Sequence, residues 1–266
     1  MEPCNGRCVG WPTVTATKFW CDSMTYALSN VLLDMLPSET ARSLSSQLMR
    51  VPLPAQSILY EANKTPRHVH FLTSGIASAV NIMSDGQRVE VTVVGREGAP
   101  QGIHLLAPIS VPTRCFMQIA GTALRMDYHV LLRMLGKDEH LRRALLAYAQ
   151  YQNLMTAQFV ACGRLHGVRE RLTRRLLMLQ DRMGDGVLKL TQASLAGTLG
   201  AQRTTVTAVC GELEHKGILA HERGTLRILQ RSALEAASCE CYRVTRRLLE
   251  SLYAEAGQRV DYPAAG

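Results

Sequence analysis

A cluster of hydrogen-bonding side chains lies near the C-terminal end of the chain, inside a stretch with helical periodicity. Val206, Val209 and Leu213 recur at helical spacing, which predicts a helix over residues 202–216 with these positions facing inward. Its other face, near the start, carries only small or hydrogen-bonding side chains: Gln202, Arg203, Thr204, Thr205 and Thr207. Such side chains can reach base edges and phosphates without holding a helix out of a major groove.

The flanking residues predict the elements that would position this helix. Thr191 is a good N-cap for a preceding short helix, and Gly200 supplies the turn between the two helices. Two short apolar runs, 218–221 and 225–229, flank Glu222-Arg223-Gly224 and predict a hairpin with Arg223 at its tip. Residues 190–229 are thus typical of a winged helix-turn-helix that binds double-stranded DNA. The simpler alternative is a small helical hairpin with a β-ribbon and no nucleic-acid role.

The basic charge of the chain is concentrated in the same half. The net charge is +8, and residues 160–247 carry 15 Arg or Lys against 8 Asp or Glu, while the rest carries 15 against 14. A basic half joined to a neutral half is expected of a DNA-binding domain attached to another module. A membrane-surface helix fits less well, because the basic residues are spread over several elements.

Other features of the sequence narrow the class of protein. No apolar run is long enough to span a membrane and the N-terminus lacks a secretory signal, so we expect a cytoplasmic protein whose 8 cysteines are thiols. We expect no enzyme, because the sequence shows no nucleophile–base arrangement, no phosphate-binding loop and no HExxH motif.

The remaining chain divides into three predicted parts before the DNA-binding half. Residues 1–28 show little periodicity and predict a flexible extension. Residues 29–127 combine helical signals with short β-rich runs, and Asp85-Gly86 between alternating runs predicts a hairpin within a small β-barrel or β-roll. Residues 128–167 predict one long helix, 128–162, followed by a hinge at 163–167. Residues 168–245 then form the DNA-binding domain, and 246–266 a C-terminal tail.

The long helix carries apolar residues at alternating steps of four and three, which is the spacing of a coiled-coil seam. A second copy of the helix is the natural partner, and packing on the chain's own β-roll is the alternative. The predicted dimerisation residues are Leu141, Leu145, Tyr148, Gln152, Met155, Phe159 and Cys162.

This layout resembles the Crp/Fnr superfamily of bacterial transcription regulators. The segments that carry the resemblance are FLTSGIASAVNIMSDGQRVEVTVVGREG, VRERLTRRLLMLQDRM and LTQASLAGTLGAQRTTVTAVCGELEHKGIL. The resemblance implies an α+β protein with a cyclic-nucleotide-binding-like β-roll, a dimerisation helix and a winged helix-turn-helix. It also implies a homodimer on a pseudo-palindromic site and contact with RNA polymerase, as activator or repressor. The run Cys239 to Tyr242 is similar to that of an alphaproteobacterial branch of the superfamily.

The recognition helix departs from the usual family pattern. Arg203 matches the family's guanine-reading arginine, but Thr204 replaces a glutamate and Ala208 replaces a second arginine. By the resemblance, Thr191 and Thr205 contact phosphates, with Gln202 as a third candidate. The family's usual half-site is therefore not expected.

The resemblance also implies a position for the effector pocket. The matching residues are Gly95, Arg96, Glu97, Gly98, Arg114 and Cys115, but the run that holds a cyclic phosphate in the family is missing. Cyclic AMP is therefore not expected, and the signal stays unidentified. The alternative functions are a ligand-binding regulatory subunit that acts on a protein partner and a redox or metal sensor that uses its cysteines.

Cofactor binding by the cysteines or histidines remains open from the sequence. An iron–sulfur cluster would use Cys4, Cys8, Cys21 and Cys115, although their spacing differs from that of Fnr. Haem could take His68, His70, His104 or a cysteine as its axial ligand. Cys239 and Cys241 could form a redox pair or hold a metal, although two thiols supply only half of a zinc site. Ordinary helix packing is the favoured interpretation of this pair.

Overall fold

The structure is a computed structural model that describes residues 30–107, 109–184 and 187–257. The predicted extension 1–28 lies outside the described residues. Two short helices, α1 (Val31–Asp34) and α2 (Ser38–Ser45), precede seven strands: β1 (Met49–Leu53), β2 (Ile58–Tyr60), β3 (His68–Leu72), β4 (Ile76–Ile82), β5 (Arg88–Val94), β6 (Arg114–Ile119) and β7 (Gly121–Asp127).

The seven strands form two antiparallel sheets, in the orders β1-β7-β3 and β2-β6-β4-β5. Their inward residues, among them Leu72, Ala77, Cys115 and Met117, make an apolar core between the sheets. The β4–β5 hairpin turns at Gly86, whose φ of 82° suits glycine, as the Asp-Gly signal predicts. The predicted β-roll is confirmed.

The predicted single long helix is wrong in one respect, because the chain forms two helices there. Helix α3 (Tyr128–Leu135) ends at Gly136, and α4 (Glu139–Leu165) begins anew after Asp138. The Asp138 carboxylate accepts a hydrogen bond from the Leu141 amide at 3.0 Å and another from the Thr40 hydroxyl at 2.7 Å. This N-cap stabilises the separate start of α4. Gly163 lies inside α4, so the actual break is at His166 and Gly167.

The C-terminal half consists of α5 (Val168–Met183), β8 (Val187–Leu188), α6 (Gln192–Leu199), α7 (Arg203–His215), β9 (Leu219–Glu222), β10 (Thr225–Ile228), α8 (Arg231–Ala236) and α9 (Cys241–Glu255). The predicted boundary at 245/246 falls inside α9. Because Leu249, Leu252 and Tyr253 are buried, with α9 packed on α4 and α5, residues up to Glu255 are part of the folded body rather than a tail. No helix among the described residues is long and apolar enough to cross a membrane.

Candidate nucleic-acid interface

Helix α7 presents one buried and one exposed face. Val206, Val209, Cys210 and Leu213 are buried against the rest of the domain. The predicted DNA-contact residues all lie on the exposed side or at the N-cap: Gln202, Arg203, Thr204, Thr205 and Thr207. The helix therefore offers hydrogen-bonding side chains to solvent along its first two turns, where a recognition helix contacts base edges.

Helix α6 holds α7 at a fixed angle. The Thr191 hydroxyl accepts a hydrogen bond from the Ser194 amide at 3.1 Å, which caps α6 as predicted. Gly200 takes a left-handed conformation, with φ of 59°, and ends α6. The Thr207 hydroxyl donates to the Gln192 side chain at 2.8 Å, so this threonine links the two helices while remaining at the surface.

The wing is a three-stranded antiparallel sheet in the order β8-β10-β9. Glu222 pairs with Thr225, so the turn contains two residues, Arg223 and Gly224, rather than the predicted three. Both have positive φ, 44° and 81°, as the tightest hairpin turns require. Arg223 is thus exposed at the tip of the wing, where a cation can approach a phosphate.

A buried network of ionic and polar side chains, centred on Arg231, supports the helix-turn-helix on the side of α5. The Arg231 guanidinium donates to the Asp181 carboxylate and to the Gln180 side chain, both at 2.7 Å, and to the Tyr242 hydroxyl at 2.5 Å. Burial raises the pKa of Asp181, and the adjacent Arg231 charge opposes that rise. The network joins α5, α8 and α9 into one support for the helix-turn-helix.

Two further arginines of α5 dock this domain on the β-roll. Arg175 forms a buried ion pair with Glu90 of β5 and donates to the Gln118 side chain at 2.5 Å. Arg182 donates to Glu97 at 2.7 Å and to the Tyr151 hydroxyl at 2.7 Å. Sequence reasoning missed these contacts, because arginines on an amphipathic helix are expected to face solvent.

The Arg182–Glu97 ion pair shifts the pKa of its arginine. Burial, the largest single cause, lowers the pKa of Arg182, but the Glu97 carboxylate, Tyr151 and Asp181 together outweigh burial and raise it. The Arg182 and Glu97 side chains are almost fully buried. The two halves of the chain therefore meet through two buried ion pairs, Arg175–Glu90 and Arg182–Glu97, in which each charge is stabilised by its partner.

The predicted effector-pocket residues have other roles. Glu97 faces Arg182, the Arg96 guanidinium lies 5.2 Å from the centre of the Tyr253 ring, and Arg114 pairs with Glu61 at 3.1 Å. Gly98 packs on an aromatic ring, Cys115 is buried in the β-roll core, and Gly95 donates its amide to Glu97 at 2.9 Å. None of the six lines the cavity described next.

A cavity of about 730 Å³ lies instead between the β-roll and α4. Its lining is mainly apolar, with several neutral hydrogen-bonding side chains and no basic residue among the described residues that form it. The lining from the β-roll includes Tyr60, Asn81, Thr92 and Thr113, and the lining from α4 includes Leu146, Gln150, Asn153 and Thr156. Because both elements contribute, a molecule bound here would contact the β-roll and the helix together.

The predicted dimerisation seam faces into its own chain. Leu141, Leu145, Tyr148, Met155 and Cys162 are buried, the Gln152 side chain donates to the Tyr148 hydroxyl at 2.9 Å, and the Arg174 guanidinium lies 4.3 Å from the centre of the Phe159 ring. The heptad pattern therefore marks the face that packs on the β-roll and the C-terminal half. The exposed apolar residues of α4 lie elsewhere on the helix: Leu146, Leu154, Val160 and Leu165.

The histidines and the cysteine that the sequence offers as haem or iron–sulfur ligands lie in or beside the β-roll. The Gln101 side-chain amide donates to His70 Nδ1 at 3.0 Å, and burial, the main cause, lowers the pKa of His70 to about 4. His104 is buried, its ring centre 4.6 Å from that of Tyr60. Cys115 lies in the β-roll core, while Cys4, Cys8 and Cys21 lie outside the described residues. His68 is at the start of β3, its ring centre 6.3 Å from that of His70.

A separate group of thiols lies where α4 ends. Cys162 and His166 from this end meet Cys239 and Cys241, which precede and begin α9. Sequence reasoning paired only Cys239 with Cys241 and placed Cys162 in the dimer seam. The missed signal is Cys162-x3-His166, whose helical spacing directs both side chains to one side.

Comparison with known proteins agrees with this architecture. Residues 170–237 match the Crp-like helix-turn-helix domain. FixK2 from Bradyrhizobium japonicum is 16% identical, with a TM-score of 0.62 over 72% of this chain and 98% of its own. A Crp/Fnr family protein from Eubacterium rectale is 15% identical, with a TM-score of 0.60 over 77% of this chain and 96% of its own.

The c-di-GMP-responsive regulator CLP from Xanthomonas campestris is 14% identical, with a TM-score of 0.60 over 72% of this chain and 99% of its own. No curated protein matches the chain by sequence. The fold and the domain match define a protein with a cyclic-nucleotide-binding-like β-roll joined to a winged helix-turn-helix. Residues 170–237 form a Crp-like helix-turn-helix domain, and the chain has the fold of the Crp/Fnr transcription regulators, as the sequence resemblance implies.

Proposed function

We propose that the protein is a sequence-specific DNA-binding transcription regulator that acts as a homodimer on a pseudo-palindromic site. The observation that carries this proposal is the exposed polar face of α7, set in a Crp-like helix-turn-helix and beside a wing with Arg223 at its tip. In this proposal Arg203 reads a guanine through two hydrogen bonds. Thr191, Gln202, Thr204, Thr205, Thr207 and Arg223 supply phosphate or base contacts.

Because Thr204 and Ala208 differ from the family's usual residues, the proposed half-site also differs. Threonine in place of glutamate removes the acceptor for a cytosine amino group, and alanine removes a second cation. The protein would thus keep one strong base contact in each half-site. Specificity at neighbouring positions would depend more on DNA shape.

The homodimer in this proposal uses the exposed face of α4 rather than the heptad seam. Leu146 is 54% exposed and Val160 is 69% exposed, and both lie on the side of α4 away from the buried seam. A second α4 packed there would bury these apolar groups. Two recognition helices would then reach successive major grooves about one helical turn apart.

In this proposal the effector binds in the cavity between the β-roll and α4. The lining supports a neutral, largely apolar ligand, because an anionic phosphate needs a basic side chain or several oriented amides. Since Leu146 and Asn153 line the cavity and lie near the proposed dimer face, a ligand could change how the two α4 helices pack. That change would redirect the DNA-binding domains through the break at Gly167.

Sequencing of the DNA recovered with this protein from cells tests the proposal. We expect enrichment of fragments that share an inverted repeat, and promoter positions would show whether RNA polymerase is helped or blocked. Recovery of no shared motif, together with stable capture of one protein partner, would instead support a regulatory subunit.

A further inference from the structure

Four side chains of the kinds that bind soft metal ions meet at the junction between the two halves of the chain. They are Cys162 and His166 at the end of α4, and Cys239 and Cys241 at the start of α9. One sulfur or ring-nitrogen atom from each lies within 4.8 Å of all the others. The three cysteines are buried, and the His166 side chain is 19% exposed.

The distances between these atoms match those around a single tetrahedral ion. The Cys162 and Cys239 sulfurs are 3.6 Å apart, and the Cys241 sulfur is 3.6 Å from His166 Nδ1. A tetrahedral zinc ion, with Zn–S near 2.3 Å and Zn–N near 2.0–2.1 Å, separates two sulfurs by about 3.8 Å and a sulfur from a nitrogen by about 3.5 Å. These two distances, together with the 4.8 Å limit that holds for all four atoms, are compatible with one such ion.

The neighbouring groups are also those found around metal ligands. His166 Nε2 lies 3.3 Å from the Glu240 carboxylate, which would hold Nε2 as the donor and leave Nδ1 free to bind a metal. The Gln158 amide donates to the Cys241 sulfur at 3.0 Å, as expected for a sulfur that carries negative charge. Two contacts from outside the cluster thus hold His166 and Cys241 in place.

Charge balance is consistent with the same interpretation. Three thiolates and one divalent ion carry a net charge of −1. Arg174 is buried nearby, and its charge interacts with all three cysteines. Metal binding would release three thiol protons to solvent, while the neutral imidazole contributes a lone pair.

Three alternative roles for the four side chains agree less well with these distances and contacts: a disulfide, an iron–sulfur cluster and simple apolar packing. A disulfide requires a sulfur–sulfur distance of about 2.05 Å, whereas Cys162 and Cys239 are free and 3.6 Å apart. An iron–sulfur cluster distributes its ligands over several irons, which does not suit four atoms this close together. Apolar packing of thiols gives no role to the His166–Glu240 pair.

We propose that Cys162, His166, Cys239 and Cys241 bind one zinc ion in a closed structural site. All four coordination positions would be filled by the protein, which is the arrangement of structural rather than catalytic zinc. The ion would link the end of α4 to the start of α9, next to the break between helices α4 and α5 at His166–Gly167. This inference does not depend on DNA binding.

Elemental analysis of the full-length protein, purified without an affinity tag or added chelator, tests this proposal. We expect about one zinc per chain, as a single four-ligand site implies. Cobalt exchanged into the protein should give the visible absorption of tetrahedral cobalt with thiolate ligands. Cys239→Ser combined with Cys241→Ser should lose both the zinc and the cobalt spectrum.

Matched controls separate this site from the other cysteines. Cys115→Ala removes an equally buried thiol elsewhere, and serine at positions 4, 8 and 21 removes the N-terminal thiols; both variants should keep the zinc. If the double variant does not fold, Glu240→Gln and His166→Gln provide the same test, with faster zinc loss to a chelator than in wild type. Wild-type protein without metal and without a cobalt–thiolate spectrum would overturn the proposal, as would a Cys162–Cys239 disulfide found by mass spectrometry.

Discussion

The buried ion pair between Arg175 and Glu90 offers a direct test of how the two halves of the chain are held together. Each side chain is only 4% exposed, and the pair joins α5 to β5 across the interface. Arg175→Met keeps most of the side-chain volume but leaves the Glu90 carboxylate buried without its cation. We expect this to lower the free energy of unfolding by about 3–5 kcal/mol, the cost of breaking a buried pair.

Urea denaturation followed by circular dichroism measures this loss. Glu90→Gln added to Arg175→Met should recover part of it, because the double variant no longer buries an unpaired charge. Arg142→Met is the matched control, since Arg142 pairs with Glu139 on the exposed surface of α4, where the side chains are 52% and 59% exposed. Loss of that pair should cost no more than about 0.5 kcal/mol.

A cost below about 1 kcal/mol for Arg175→Met would refute this reasoning, because only solvent-exposed pairs contribute so little. It would mean that the DNA-binding domain does not rest on the β-roll in solution. A double variant less stable than the single one would also contradict it, since the unpaired carboxylate would then not be the source of the loss.

Three further predictions concern single positions. A Cβ atom at Gly98 would lie 2.0 Å from the Tyr148 ring, so Gly98→Ala should destabilise the protein by about 1–3 kcal/mol in the urea denaturation assay. The control is Gly163→Ala, a helix position with open space around it, which should be neutral or stabilising in the same assay. The pKa of His70 falls from 6.5 to about 4 on folding, so the neutral ring favours the folded state fully above pH 6.5, and the free energy of unfolding declines by about 3 kcal/mol as the pH falls toward 4. His70→Gln should flatten the dependence of the free energy of unfolding on pH in this range, and an unchanged slope would contradict the prediction. Val160→Glu should convert the proposed dimer to a folded monomer in size-exclusion chromatography with light scattering, and a variant that is dimeric would exclude this face of α4.

Much of the DNA-binding half could be predicted because its signals are local. The Thr191 cap, the turn at Gly200 and the helical spacing of Val206, Val209 and Leu213 each depend on residues within one or two turns. Capping and periodicity operate at this range, so the sequence alone indicates two helices at a fixed angle. The same applies to the Asp85-Gly86 hairpin of the β-roll.

The sequence is less decisive where a pattern has more than one physical cause. The heptad seam of α4 shows that a face is buried, but not whether a second copy or the chain's own β-roll covers it. The break before Glu139 had a local signal, Gly136 followed by the capping residue Asp138, which the strong apolar periodicity concealed.

The remaining features depend on contacts that are distant in sequence. Arg175 is 85 positions from Glu90, and Cys162 is 77 positions from Cys239. Each half of such a pair is unremarkable alone: an arginine on a helix, or a thiol in an apolar seam. Only the tertiary fold brings them together, so neither the buried ion pairs nor the thiol cluster could be assigned from spacing.

The most direct test of DNA recognition by α7 is the affinity of the full-length protein for its enriched DNA fragment, measured by fluorescence anisotropy at several salt concentrations. We predict a steep fall of affinity with salt, and a loss of about 1–3 kcal/mol of specific binding for Arg203→Ala. Arg50→Ala, an exposed arginine of β1, is the control and should bind as wild type does. Affinity that is independent of salt and unchanged by Arg203→Ala would contradict the assignment of α7 as a DNA-recognition helix.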